Sequence, residues 1–142
     1  HLVVTVGSER GKKVDGKRGE SSIVIEKTAR EVSADDFDAL VIPGGYSPDH
    51  LRLDQAMVKF VKDAVSARKV IAAVCHGPQL LIEADVARNR DMTSWPSVRR
   101  DLINAGARWS DQEVVEDGNF ITARKPEDLE AFSRAILRRL AA

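Results

Sequence analysis

The stretch Val70-Ile71-Ala72-Ala73-Val74-Cys75-His76-Gly77-Pro78 decides how this sequence folds. Its first five residues are continuously apolar, the pattern of a strand buried on both faces, and its proline stands where a helix would open. A thiol, an imidazole and a glycine fill the turn between them. The upstream partner is Ala39-Leu40-Val41-Ile42, a second continuous apolar run, read as a central parallel strand and closed by Pro43-Gly44-Gly45. Between the two runs, Asp54 is placed to cap a helix. Met57, Val58, Phe60, Val61, Ala64 and Val65 then recur at helical spacing to about Ala67. Downstream, the pattern predicts helices over 78–84 and 97–105, the second stopped by Gly106. Val114-Val115 and Phe120-Ile121-Thr122 flank the turn Asp117-Gly118-Asn119 as a hairpin. A last helix over 126–140 carries the stripe Leu129, Phe132, Ile136, Leu137 and Leu140. Strands alternating with helices predict a layered α/β domain, a mostly parallel sheet covered on both faces.

The front of the chain is less regular. It opens at His1 without methionine and enters Leu2-Val3-Val4-Thr5-Val6, a strand by its β-branched content. Residues 7–22 hold four glycines (Gly7, Gly11, Gly16, Gly19) among Arg10, Lys12, Lys13, Lys17 and Arg18. This segment reads as a solvated loop or glycine-rich hairpin. The alternative, a phosphate cradle, lacks the G-x-x-x-x-G-K-[ST] spacing, and Glu9, Asp15 and Glu20 interrupt the basic residues. Ile23-Val24-Ile25 reads as a short strand, and Ser33-Ala34-Asp35-Asp36 as a helix-start signal.

Composition narrows the function. One domain over 1–142 accommodates 142 residues, and 22 basic against 22 acidic side chains give a net charge of zero. That balance removes the global attraction a non-specific nucleic-acid or anionic-membrane binder would use, so neither partner is expected. No apolar run approaches the roughly 18 residues of a membrane span, and no leader pattern is present, which makes the cytoplasm the expected compartment. Cys75 is the single cysteine, so no internal disulfide forms. With one cysteine and three scattered histidines (His1, His50, His76), zinc-ligand spacing is lacking, and neither metal nor cofactor is expected.

The chemistry is expected at Cys75. A strained strand-to-helix turn lifts its central residue from the sheet and needs small neighbours two positions away, here Ala73 and Gly77. Backbone N–H groups at such a turn favour thiolate over thiol. The bland alternative is a small buried hydrophobe. On a sharp turn His76 could bend back to pair with Cys75, an acid being required to orient the imidazole. Pro43-Gly44-Gly45-Tyr46-Ser47-Pro48-Asp49 leaves the other strand at the same edge of the sheet. Gly44 and Gly45 could offer backbone N–H groups to an oxyanion, and Asp49 could supply the acid. An ordinary Gly-Gly exit followed by a helix-capping Asp is the competing reading.

Ala39 to Gly45, Ala73-Val74-Cys75-His76-Gly77-Pro78-Gln79, Thr93-Ser94-Trp95-Pro96 and Val114 to Asn119 together resemble the PfpI family of the class I glutamine amidotransferase-like superfamily. The resemblance spans nearly the whole chain. It implies a flavodoxin-like three-layer sandwich and the activities described for that family: intracellular cysteine peptidase, general stress protein, and protein deglycase or glyoxalase. It places the nucleophile on Cys75, the catalytic histidine on His76, which also offers its backbone N–H beside Gly44 and Gly45, and the acid on Asp49. That acid is expected to act across a subunit contact, so a homo-oligomer, dimer or hexamer, is implied. Tyr46 and Trp95 fall where substrate walls are expected. Peptides or small carbonyl adducts are the implied substrates, without a cofactor. A non-catalytic stress protein or oxidation sensor using the same cysteine is the alternative. A glutamine amidotransferase would need a downstream histidine, and none follows His76. Members also carry an upstream strand and helix with a glutamate facing the cysteine, so a first strand and helix are expected to be missing from this sequence.

Overall fold

The computed structural model describes residues His1–Ala142. The chain runs β1 (Val6–Gly7), β2 (Lys13–Asp15), β3 (Ser22–Val24), β4 (Lys27–Thr28), β5 (Ala39–Ile42), α1 (Ser47–Leu51), α2 (Gln55–Ser66), β6 (Val70–Val74), α3 (Pro78–Glu83), β7 (Asp91–Met92), α4 (Arg99–Asn104), β8 (Arg108–Trp109), β9 (Val114–Asp117), β10 (Phe120–Ala123) and α5 (Leu129–Ala141). Four strands form the main sheet in the order β5-β6-β10-β9. β5, β6 and β10 are mutually parallel, and β9 runs antiparallel to β10.

The apolar run of β6 explains the layering. Ile71 and Ala73 enter the larger core with Met57, Phe60 and Val61 of α2, Leu80 and Leu81 of α3, and Leu102 of α4. Ala72 and Val74 point to the opposite face, where Phe132, Ala135 and Ile136 of α5 cover them. A strand buried on both faces has no place for a polar residue, which is why its sequence does not alternate. The result is the expected three-layer α/β sandwich. Asp54 caps α2 as its position suggested, accepting a hydrogen bond from the Ala56 N–H at 3.0 Å.

Three readings need correction. β5 is an edge strand of the sheet, not a central one, and Val41 is half exposed because no strand of the chain pairs with its outer side. The strand expected over residues 2–6 shrinks to Val6–Gly7, paired with β4, while Leu2 and Val3 lie exposed. The signal at Ser33 starts only a single 3₁₀ turn, although its capping geometry is complete. Residues 13–24 form a hairpin as read, but every residue of β2 and β3 is exposed.

Candidate active site

Register brings the chemistry to one edge. Ile42 is level with Ala73, and Val74 with Ala123, so the segments after β5, β6 and β10 emerge side by side. At the end of β6 the backbone turns through Cys75 at a φ of 62°, the left-handed region that a residue with a Cβ enters only at a cost. The turn is held by hydrogen bonds on both sides. The Cys75 N–H donates to the Ala123 carbonyl, and the Trp95 N–H donates to the Cys75 carbonyl, each at 3.0 Å. The Gly77 N–H closes the turn onto the Val74 carbonyl at 2.9 Å.

The small residues have specific steric causes. A Cβ on Gly77 would lie 2.6 Å from the Ile42 carbonyl oxygen and 2.9 Å from that of Val74, so only glycine lets the turn approach β5 this closely. A Cβ on Gly44 would lie 2.8 Å from the Cys75 Cβ and 3.3 Å from its Sγ. Gly45, at a φ of 72°, needs glycine for its backbone rather than for space. The N–H groups of Gly44, Gly45 and His76 have no acceptor within the chain.

Cys75 and His76 do meet: Sγ stands 3.3 Å from Nδ1, and both residues are half-buried. The other imidazole nitrogen, Nε2, lies 3.4 Å from the Ser97 hydroxyl. Asp49 occupies the first turn of α1, exposed, and makes no hydrogen bond or ion pair with His76 in its own chain. Tyr46 precedes α1 and is largely exposed, with the Lys17 Nζ 6.0 Å above its ring. Trp95 is 39% exposed beside the elbow. Two recesses of about 360 and 220 Å³ lie elsewhere, the first among Arg52, Gln79 and Asp101, the second among Arg68, Lys69 and Arg90. No group of three or more His, Cys, Asp or Glu residues is placed to hold a metal ion. No helix is long and apolar enough to cross a membrane.

Two residues that sequence reasoning passed over stand at this edge. Ser97 is one. The other is Arg124, the residue after β10, whose Nε and Nη2 donate to the two oxygens of Asp128 at 2.9 and 3.1 Å and whose Nη1 donates to Asp111 at 2.9 Å. Its backbone N–H also donates to Asp128. Asp128 is buried; burial alone would raise its carboxyl, but the Arg124 hydrogen bonds and charge outweigh that and hold it below the ordinary carboxylate range. An Arg four residues before an Asp at a helix start was the available signal.

Comparison with known proteins gives a consistent result. The DJ-1/PfpI family model matches residues 1–139. The chain is 50% identical over 143 residues to the protein/nucleic acid deglycase 2 of Escherichia coli (strain K12), covering 100% of this chain and 83% of that protein. It is 43% identical over 138 residues to general stress protein 18 of Bacillus subtilis (strain 168), covering 96% and 80%. A crystal structure of a two-domain protein from Anabaena variabilis, containing DJ-1/ThiJ/PfpI-like and ferritin-like domains, matches with a TM-score of 0.96 and 46% identity, covering 97% of this chain and 40% of that one.

Proposed function

On the premise that this chain belongs to the DJ-1/PfpI family, we propose that it is a cysteine-dependent enzyme acting on adducts of small dicarbonyls with amines or thiols. The observation that carries this reading is the elbow itself, a thiol at a left-handed φ with Sγ 3.3 Å from an imidazole nitrogen. In this reading His76 Nδ1 takes the thiol proton and Sγ replaces the amine at the adduct's hemiaminal carbon: the C–N bond breaks, the proton on Nδ1 leaves with the amine, the C–S bond forms, and the resulting hemithioacetal then reverts to free dicarbonyl and thiol. The negative charge that develops on the oxygen of that carbon during the exchange is met by the N–H groups of Gly44, Gly45 and His76. The absence of any internal acceptor for those donors supports the assignment. Tyr46 and Trp95 serve as walls, and Asp49 of a neighbouring subunit orients His76, which makes a homo-oligomer the active unit.

The test is recovery of free amine from methylglyoxal-treated N-acetyl-lysine, measured beside an enzyme-free control. Wild type should accelerate release, and Cys75→Ala should lower the rate about a thousandfold or more. Equal rates for the two proteins would overturn the reading. Cysteine-dependent cleavage of a denatured protein in the same series would replace it with peptide hydrolysis, and reversible peroxide oxidation of Cys75 without any turnover would replace it with a sensor.

A further inference from the structure

The imidazole of His76 has two nitrogens, and within its own chain each faces one side-chain partner. Nδ1 faces the Cys75 Sγ at 3.3 Å, and Nε2 faces the Ser97 Oγ at 3.4 Å. A neutral imidazole carries a proton on one nitrogen and a lone pair on the other, so whatever accepts from Nε2–H leaves Nδ1 as the basic site. We infer that Ser97 is a positioning residue that accepts a hydrogen bond from His76 Nε2–H and so selects the tautomer whose Nδ1 lone pair is aimed at the Cys75 thiol.

Ser97 does not reach this place by chance rotation of a surface loop. Residues 94–98 are bolted to the elbow and to the core. The Trp95 N–H donates to the Cys75 carbonyl at 3.0 Å, and the Trp95 carbonyl accepts from the Val98 N–H and the Ser94 hydroxyl at 2.9 Å each. Ser94 in turn accepts from the Trp109 indole at 2.9 Å, and Ser94 and Val98 are both buried. Pro96 opens the 3₁₀ turn Pro96–Val98, which turns Ser97 toward His76 while Val98 is anchored below. Ser97 itself is exposed, so its own O–H proton finds water and the oxygen is free to accept. When the thiol proton moves from Sγ to Nδ1, Nε2–H keeps the same acceptor, so both protonation states of the Cys75–His76 pair fit one geometry. The charged groups near the elbow, Asp49 and His50 on α1 and Arg99 on α4, make no bond to the imidazole, and Arg99 instead lies over the Trp109 ring, 5.6 Å from its centre.

The inference rests on the proposed role of His76, and its test separates the two. Nitrogen-15 NMR of the neutral imidazole should show the Nε2–H tautomer dominant in wild type. In Ser97→Ala, prepared in an Asp49→Ala background so that no partner acid takes the same N–H, that bias should weaken, and alkylation of Cys75 by iodoacetamide at pH 7 should slow about threefold to tenfold relative to Asp49→Ala alone, the scale of one lost neutral hydrogen bond. Ser97→Thr, which keeps the hydroxyl, should restore both. An unchanged tautomer and alkylation rate in Ser97→Ala would overturn the inference, as would slowing that threonine does not rescue. Neither readout needs a substrate, so a wild type without amine release would refute the proposed function while leaving the Ser97 result to stand or fall on the spectra.

Discussion

At the scale of single residues, the site is built from what glycine allows and what Cys75 tolerates. Gly77 and Gly44 sit on either side of the thiol and do different work. At Gly77 the obstructing atoms are backbone carbonyl oxygens of two strands, which cannot swing away, so Gly77→Ala should cost about 3 kcal/mol of folding stability. At Gly44 the obstructing atoms are the Cys75 Cβ at 2.8 Å, which is fixed to its backbone, the Val74 carbonyl oxygen at 3.2 Å and the Cys75 Sγ at 3.3 Å. Gly44→Ala should therefore cost stability as well, about 1–3 kcal/mol, and also displace the thiol, lowering Cys75-dependent turnover about tenfold to a hundredfold. Denaturant melts beside turnover rates check both, and the reading fails if Gly77→Ala keeps its stability or Gly44→Ala keeps full turnover. Cys75, His76 and Gly77 were legible because a strand, a proline and small flanking residues mark an elbow in one dimension. Ser97 was not legible, because it lies 21 residues beyond His76 and the contact exists only once the Trp95 N–H ties the two segments together.

At the scale of elements, α2, β6, α5 and the hairpin β9–β10 were readable from apolar periodicity and turn residues, because each buries a stripe or face in a core formed by its own neighbours. β5 was misread as central because a continuous apolar run says that a strand is buried, not which edges are paired. β7 and β8 escaped because two residues carry no period. The end of β10 shows how an element boundary supports the site. Ala123 receives the Cys75 N–H, and the next residue, Arg124, is clamped by Asp128 at the entrance to α5. The Asp128 carboxyl is held below its ordinary range, so its contribution to stability is complete above the unfolded value of about 4 and is lost as the pH falls through the lower folded value. Asp128→Asn should thus lower Tm by about 5 °C at pH 7, with the deficit shrinking as both proteins are taken toward pH 3. A deficit that stays constant or grows in acid would show that the carboxylate charge is not what holds Arg124.

At the scale of the whole molecule, the same edge that exposes Cys75 also exposes Asp49, an acid with no partner in its own chain and one short helix away from the thiol's loop. A zero net charge leaves no long-range repulsion to keep copies of this chain apart. In the proposed assembly, Asp49 meets His76 of another subunit, a role that requires each active site to draw on two chains. Cys75→Ala oligomers and Asp49→Ala oligomers should then both be nearly inactive. Dissociating and reassociating an equal mixture should create interfaces that join an intact Cys75–His76 pair to an intact Asp49. In a two-fold interface with one subunit of each kind, one site is whole and the other doubly defective. Half of randomly formed interfaces are mixed, so recovery should reach at most about a quarter of wild-type activity. Native mass spectrometry would verify exchange. Exchange without recovery would remove Asp49 from the site and leave Ser97 as the only group of the chain that engages His76 Nε2.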